Sequence, residues 1–270
     1  MDDVQRATVA TDARSSGGSP PGQLPRTVVA AVAAGTLLNP LNSSMIAVAL
    51  VDLSGGFGVS TTVATLLVSA FYMAGAIGMP LMGRLADLFG PRRLFCIGLV
   101  AVAATGALAP LSPSFGWLVA ARVVQAFSTA VAYPAGLAIF RAQSGSARAP
   151  AAALGSLSIA ASVSAALGPV LGGGLVAFAG WRGIFLANVP LSLIGLLLAL
   201  RWLPADAPRT GRDGASRAAA LRATVSSVDP AGIALFSAVI LSILGLLISL
   251  PEGPQWWLFP VAAVALASLV

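Results

Sequence analysis

Long apolar runs separated by short polar segments dominate the chain. A helix needs roughly 20 apolar residues to cross a bilayer, and seven runs reach or approach that length. An eighth begins near Gln255 and continues to Val270, so the pattern predicts an all-α membrane protein with about eight transmembrane helices. The seven runs cover residues 27–51, 61–82, 94–112, 115–139, 151–178, 183–202 and 231–250.

The polar segments predict four parts of the chain. Residues 1–25 are rich in Ser, Gly and Pro and bury too little apolar surface to fold, so we expect a disordered tail. Residues 26–203 then form a six-helix bundle, and residues 204–228 form a linker in which a solvated segment or a short surface helix would both fit. Residues 229–270 hold two further helices, of which the last is short for a span.

The arginines predict how the chain is oriented. Thirteen of the 15 basic residues lie in the N-terminal tail or in the loops after the second, fourth and sixth runs, whereas the alternate loops hold only Arg182. Cytoplasmic loops carry this excess in membrane proteins. We therefore expect a multi-pass protein of the plasma membrane, the inner membrane of a bacterial cell, with a cytoplasmic N-terminus. The net charge of +6 then indicates contact with the lipid bilayer rather than with nucleic acid.

The composition argues against several kinds of chemistry. Only 9% of the residues are charged, against about 25% in soluble domains. Histidine and lysine are absent and there is one cysteine, so His-based catalysis, a His-ligated metal and a lysine-containing phosphate loop are all excluded. No paired carboxylates lie within the runs. We expect no enzyme, no metal site and no cofactor.

The segment after the second run reads GRLADLFGPRR, and its residues suggest a loop of defined structure. Gly83 would let a helix end pack closely, and Asp87 would meet a helix N-terminus or an arginine. Gly90 would permit a tight turn, and Arg92 and Arg93 would contact anionic headgroups. The segment resembles the signature G-x-L-a-D-r-x-G-r-k of the major facilitator superfamily, although Leu88 and Pro91 replace basic residues; an ordinary short loop is the alternative. These gating-loop residues are Gly83, Asp87, Gly90, Arg92 and Arg93.

An arginine lies inside the fourth run, about 10 Å into the bilayer at the helical rise of 1.5 Å per residue. Arg122 and Gln125 resemble the R-x-x-Q-G element of the same superfamily, with Ala126 in place of glycine; the resemblance implies a role in proton coupling. Because a charge at this depth is costly unless it faces a cavity or a partner, we predict that Arg122, Gln125 and Tyr133 face a substrate cavity. Snorkelling of Arg122 to the nearer surface is the alternative.

The first run carries a polar stripe. Its segment from Asn39 to Leu50 resembles the L-D-x-T-I-V-N-V-A-L-P element of the drug:proton antiporters with 14 spans, with Asn42 where the family usually has aspartate. An amide cannot release a proton at physiological pH, so coupling would not pass through this position. We predict that Asn39 and Asn42 line a substrate cavity, and hydrogen bonding between helices is the alternative.

The fifth run contains small residues in a fixed register. The spacing resembles the antiporter motif G-x8-G-x3-G-P-x2-G-G, with serine replacing one glycine. Glycines so placed leave a flat strip against which another helix can pack, and the proline would bend the helix, as suits a pivot in alternating access. Ordinary small-residue packing is the alternative. The motif residues are Gly155, Ser164, Gly168, Pro169, Gly172 and Gly173.

Together these segments are similar to the N-terminal portion of a major facilitator transporter. The resemblance implies a six-helix N-terminal bundle plus two extra helices, with the family's C-terminal bundle missing. It implies a secondary transporter of the multidrug type that exports small amphipathic compounds, coupled to a proton gradient. The chain would then be incomplete alone and would need a C-terminal half or a second copy. A truncated, non-transporting membrane partner of other proteins is the alternative.

Overall fold

The computed structural model describes residues 24–145 and 149–206 continuously, together with five single positions, Leu235, Val239, Ser242, Pro260 and Val264. Most of the expected tail and linker, and all but those five positions of the expected seventh and eighth spans, lie outside the described residues. Within the two continuous ranges the chain forms α-helices and one 3₁₀ turn, without a strand. The expectation of an all-α membrane protein is confirmed.

Nine helices in the two continuous ranges contain five stretches that are long and apolar enough to cross a membrane, and the break at Gly180 in the longest stretch gives six crossings. The first four crossings are made by consecutive helices joined by turns, and the last two lie within one 52-residue helical element. The helices are α1 (Arg26–Thr36), α2 (Leu38–Val48), α3 (Leu50–Phe57), α4 (Thr61–Ala64), α5 (Leu66–Phe89), α6 (Pro91–Leu108), α7 (Phe115–Ala130), α8 (Ala132–Ser144) and α9 (Ala151–Trp202).

Gly180 divides α9 into the fifth and sixth crossings. Its backbone lies at φ 64° and ψ −170°, outside the helical region, and a conformation with positive φ strains any residue that has a Cβ. The sequence predicted an apolar run to residue 178 and a new one from residue 183. The connection is shorter than that, because Trp181 and Arg182 already belong to the sixth helix.

The second crossing extends further than predicted. The apolar run ends near Met82, but α5 continues to Phe89, so Gly83 and Asp87 lie in a helix rather than in a loop. Leu, Ala and Arg in this stretch are good helix formers, which explains the extension. Only Gly90 leaves the helix, at φ 97°, and the tight turn expected there is confirmed.

Two apolar cores fill the two ends of the bundle. One core, at what we call the Arg26 end, contains Val28, Phe95 and Phe140. The other, at what we call the Asp52 end, contains Leu53 and Trp181. Polar side chains on the fourth crossing fall between the two, because Leu118 belongs to the Asp52-end core and Val131 to the Arg26-end core, whereas Arg122, Gln125 and Thr129 lie between them.

Candidate functional site

A cavity of about 240 Å³ lies within the bundle, between the first, second, fourth and fifth crossings. Its polar groups come from Thr36 and Asn39 on one side and from Thr129 and Tyr133 on the other, and Ser158 adds a hydroxyl from α9. The Asn39 Nδ2 donates to Thr129 Oγ1 at 3.2 Å, joining α2 to α7 across it. The remaining wall is mainly apolar, with Met79, Pro40, Ala130, Leu157 and Ala161.

Next to the cavity, three polar side chains form a buried cluster. Arg122, Asn42 and Gln125 expose 0%, 0% and 1% of their surface. Arg122 Nη1 donates to Asn42 Oδ1 and to Gln125 Oε1, each at 2.8 Å. Arg122 therefore does not snorkel: its guanidinium connects the fourth crossing to the first. We call these three residues the Arg122 cluster.

Aromatic rings complete the surroundings of the guanidinium. The Arg122 Cζ lies 4.2 Å from the centre of the Phe71 ring and 5.9 Å from that of Phe185. The faces of aromatic rings attract cations, so these rings partly offset the loss of hydration. Phe71 comes from α5 and Phe185 from the sixth crossing, so four crossings meet at one charged side chain.

The five residues predicted for a substrate cavity fall into two groups. Asn39 and Tyr133 line the cavity, with Tyr133 nearly half exposed, whereas Asn42, Arg122 and Gln125 are not among the residues lining it. The separation follows from helix geometry, because positions three apart on a helix differ in direction by about 60°. Both asparagines bond to side chains of α7, but only Asn39 also lines the cavity.

At the Arg26 end, the gating loop is held by a residue that sequence reasoning missed. The Asp206 carboxylate accepts hydrogen bonds from the backbone N–H groups of Arg92 and Arg93, at 2.9 Å and 3.0 Å. These N–H groups lie in the first turn of α6, where a carboxylate is favoured by the helix dipole. Asp206 also packs on Gly90, where a Cβ would collide with it. An aspartate just after the sixth run, in a segment otherwise rich in arginine, was the available signal.

The arginines of this loop differ from the expectation that both contact headgroups. The half-buried Arg92 side chain donates from Nη2 to the Leu200 carbonyl at 2.8 Å, because the sixth crossing ends beside the start of α6. Arg93 is exposed, as that expectation requires. Gly83 packs near Pro134 of the fourth crossing: a Cβ added to Gly83 would lie 3.5 Å from the proline Cβ.

The small residues of the fifth crossing pack against α2. Ser164 Oγ donates to the Leu37 carbonyl at 2.9 Å. A Cβ at Gly168 would collide with Ser44, and one at Gly172 would lie 2.9 Å from the Met45 carbonyl oxygen. Gly173 touches Val48 only at 4.0 Å, and Gly155 and Pro169 are exposed. The close approach thus involves three of the six motif residues.

At the opposite end a second aspartate holds a helix start. Asp52 Oδ2 accepts from the Trp181 backbone N–H at 2.7 Å, where the sixth crossing begins. The Trp181 ring packs 5.2 Å from Phe57, and the Arg182 guanidinium lies 4.6 Å above the indole. The arginine also donates from Nε to the Pro110 carbonyl at 3.2 Å.

The described residues contain no group of three or more His, Cys, Asp or Glu side chains that could hold a metal ion. The polar groups that line the cavity are hydroxyl and amide groups, with the Arg122 guanidinium nearby. Such groups bind and orient a ligand through hydrogen bonds and charge.

The sequence is similar to those of known transporters. The chain is 38% identical over 225 residues to the uncharacterized MFS-type transporter YwoD of Bacillus subtilis, covering 83% of this chain and 48% of YwoD. It is 31% identical over 170 residues to the tetracenomycin C resistance and export protein of Streptomyces glaucescens, covering 63% of this chain and 31% of that protein. The chain thus spans about half or less of the length of these relatives.

The fold also matches a solved structure. The human organic anion transporter MFSD10 superposes with a TM-score of 0.57 at 21% identity, over 92% of this chain and 70% of that one. At this identity the likeness concerns the fold alone. Residues 32–270 match the sequence family of the Major Facilitator Superfamily, so the chain belongs to this superfamily.

Proposed function

We propose that this chain is part of a secondary active transporter that exports small amphipathic compounds and uses a proton gradient. More narrowly, we assign it to the drug:proton antiporters with 14 spans. Membership of the superfamily supports a transporter, and a relative named for resistance and export supports the direction. The resemblance of its first, fourth and fifth crossings to the antiporter elements supports the narrower group.

The cavity carries this proposal. It combines an apolar wall with a few polar groups, from Thr36, Asn39, Thr129, Tyr133 and Ser158, between crossings of the two halves of the bundle. Ligand sites in proteins have this composition, and transporters bind substrates near the middle of the membrane, where structural repeats meet. The Arg26 end would face the cytoplasm of a cell whose plasma membrane holds the protein.

The other predicted site residues have roles in the same transport cycle. The strip of Ser164, Gly168 and Gly172 on the fifth crossing, which packs against α2, would be the surface on which that crossing pivots, and the loop around Gly90 would gate the cytoplasmic side. An arginine stays protonated, so Arg122 would influence a proton held by another group rather than carry one.

The length of the relatives favours a second candidate. Because the chain matches about half or less of the proteins compared above, it would act with a C-terminal half or with a second copy. A chain that lacks both would be a membrane partner that associates with other proteins without transporting. Its proposed organisation is a bundle at 26–203, a linker at 204–228 and two helices at 229–270.

Accumulation of Nile red, an uncharged amphipathic dye, tests the first candidate. Cells expressing the chain are compared with cells expressing Arg122→Ala, with Gln143→Ala as a control at the exposed end of α8. Transport predicts lower dye content with the chain and with Gln143→Ala, abolished by Arg122→Ala and by a protonophore. Equal accumulation in all cells, with the protein present in the membrane, would favour the non-transporting partner.

A further inference from the structure

Four hydrogen-bond donors of the Arg122 cluster, two of them on the guanidinium itself, have no partner. Arg122 Nε, Arg122 Nη2, Asn42 Nδ2 and Gln125 Nε2 are all buried without a hydrogen-bond partner. All four are donors, and the two acceptor oxygens of the cluster are already occupied by Arg122 Nη1. The Arg122 cluster therefore offers a positive charge and N–H donors. It contains neither a negative charge nor a further acceptor group to pair with them.

The carboxylates of the bundle are placed too far along the helices to supply that counterpart. Residues 24–206 contain three, Asp52, Asp87 and Asp206. Asp52 and Asp206 accept from backbone N–H groups at opposite ends of the bundle, and Asp87 lies two residues before the end of α5. Within these residues, the charge of Arg122 has no neutralising carboxylate in the bundle interior.

The cluster lies one helical turn from the cavity. Thr129 follows Gln125 by four residues on α7, and Asn39 precedes Asn42 by three on α2, which corresponds to about 4.5–6 Å of helix rise. Thr129 and Asn39 both line the cavity, and the lining residues are uncharged. A positive charge in a medium of low dielectric acts over this distance on any charged group that enters.

We infer that this cavity takes uncharged or anionic amphipathic molecules with hydrogen-bond acceptors and rejects organic cations. The inference rests on the proposed function and adds the substrate class. The buried charge of the Arg122 cluster repels a cation, whereas an anion is attracted and a neutral acceptor meets the hydroxyl and amide groups of the wall.

Three probes that share one fluorophore test the charge preference: dansylamide, N-dansylglycine, and a dansyl derivative carrying a trimethylammonium group. Binding to the purified chain in lipid nanodiscs is followed by dansyl fluorescence. The cation is expected to bind at least about tenfold more weakly than the neutral probe, as a unit charge roughly 8 Å away would require. The anion is expected to bind at least as tightly as the neutral probe.

Variants that add a carboxylate test whether the charge preference comes from the Arg122 cluster. Gln125→Glu and Asn42→Asp each neutralise the cluster and are expected to raise the relative affinity for the cation about tenfold or more. Gln143→Glu makes the same chemical change at the exposed end of α8 and should leave the preference unaltered. Two cluster variants keep the test informative if one fails to fold.

The outcomes separate this inference from the proposed function. Equal binding of the cation and the neutral probe, or a preference unchanged in both cluster variants, would overturn the substrate class and leave export standing. Selective binding without Nile red export would overturn export by this chain on its own and leave the substrate class standing. If none of the probes binds, the assignment of a ligand cavity to this chain is wrong and the substrate class falls with it.

Discussion

Arg122 is the centre of the polar contacts in the interior of the bundle. Its Nη1 joins Asn42 and Gln125, and its face is covered by Phe71. The sequence predicted that Arg122 lies inside the membrane and that Asn42 replaces an aspartate. It could not predict their hydrogen bond, because they are 80 residues apart and only the packing of α2 on α7 brings them together.

Replacing Asn42 by aspartate is expected to stabilise the bundle. Asn42→Asp keeps the acceptor for Arg122 Nη1, removes the unpaired Nδ2 and adds an opposite charge, and hydrogen bonds to charged groups contribute about 1.5–3 kcal/mol. Thermal unfolding in detergent should show a higher Tm. Asn39→Asp is the matched control: it loses the donor to Thr129 and gains no arginine partner, so its Tm should not rise. A lower Tm for Asn42→Asp than for Asn39→Asp would contradict the unbalanced charge.

At the level of elements, the fifth crossing and α2 pack closely because their contact residues are small. The sequence predicted a smooth strip from the spacing of the glycines. It did not show which glycines face a neighbour, since that depends on the rotation of the helix: Gly172 meets Met45, whereas Gly155 meets nothing within 4 Å.

Two glycines two residues apart provide a comparison within one helix. Gly172→Ala forces a Cβ against the Met45 backbone and is expected to destabilise the bundle by about 1–3 kcal/mol. At Gly174 a Cβ meets no atom within 4 Å, so Gly174→Ala is expected to be neutral or to stabilise by up to about 1 kcal/mol through helix propensity. Thermal unfolding of both variants measures the difference in stability. Equal Tm values would refute the close contact between Gly172 and Met45.

The two aspartates that hold helix starts are expected to act locally. Asp206→Ala should make the Arg92 and Arg93 amides exchange hydrogen about fivefold faster, because a capping carboxylate contributes about 1 kcal/mol. Asp52→Ala should do the same for the Trp181 amide only. Hydrogen exchange read by mass spectrometry makes each variant the control for the other, and unchanged exchange in both would contradict the capping role.

At the scale of the whole molecule, two apolar cores lie at the ends of the described bundle, and polar side chains lie between them beside a smaller apolar cluster of Phe71, Ala74 and Ala126. The apolar runs were sufficient to predict six crossings, because each helix must satisfy its own backbone in lipid. Their ends were less predictable: α5 continues through Asp87 to Phe89 because good helix formers follow the apolar run. The docking of Asp206 on α6 required the folded chain.

Orientation is tested with single cysteines in a Cys96→Ser background. Thr62→Cys lies at the Asp52 end and Gln143→Cys at the Arg26 end, and both positions are exposed. Because thirteen arginines predict a cytoplasmic Arg26 end, a membrane-impermeant thiol reagent should label Thr62→Cys in intact cells and Gln143→Cys only after permeabilisation. The reverse pattern would show that the N-terminus lies outside.

Gly180 has a mechanical consequence. It connects the fifth and sixth crossings by one residue, and Asp52 fixes the backbone of the next residue. A connection of one residue leaves little freedom between the two helices, so we expect a tilt of residues 151–179 to be accompanied by a tilt of residues 181–202. With Gly180 as the pivot and Asp52 holding the residue next to it, the largest displacement is expected at the ends of both helices that lie far from Gly180.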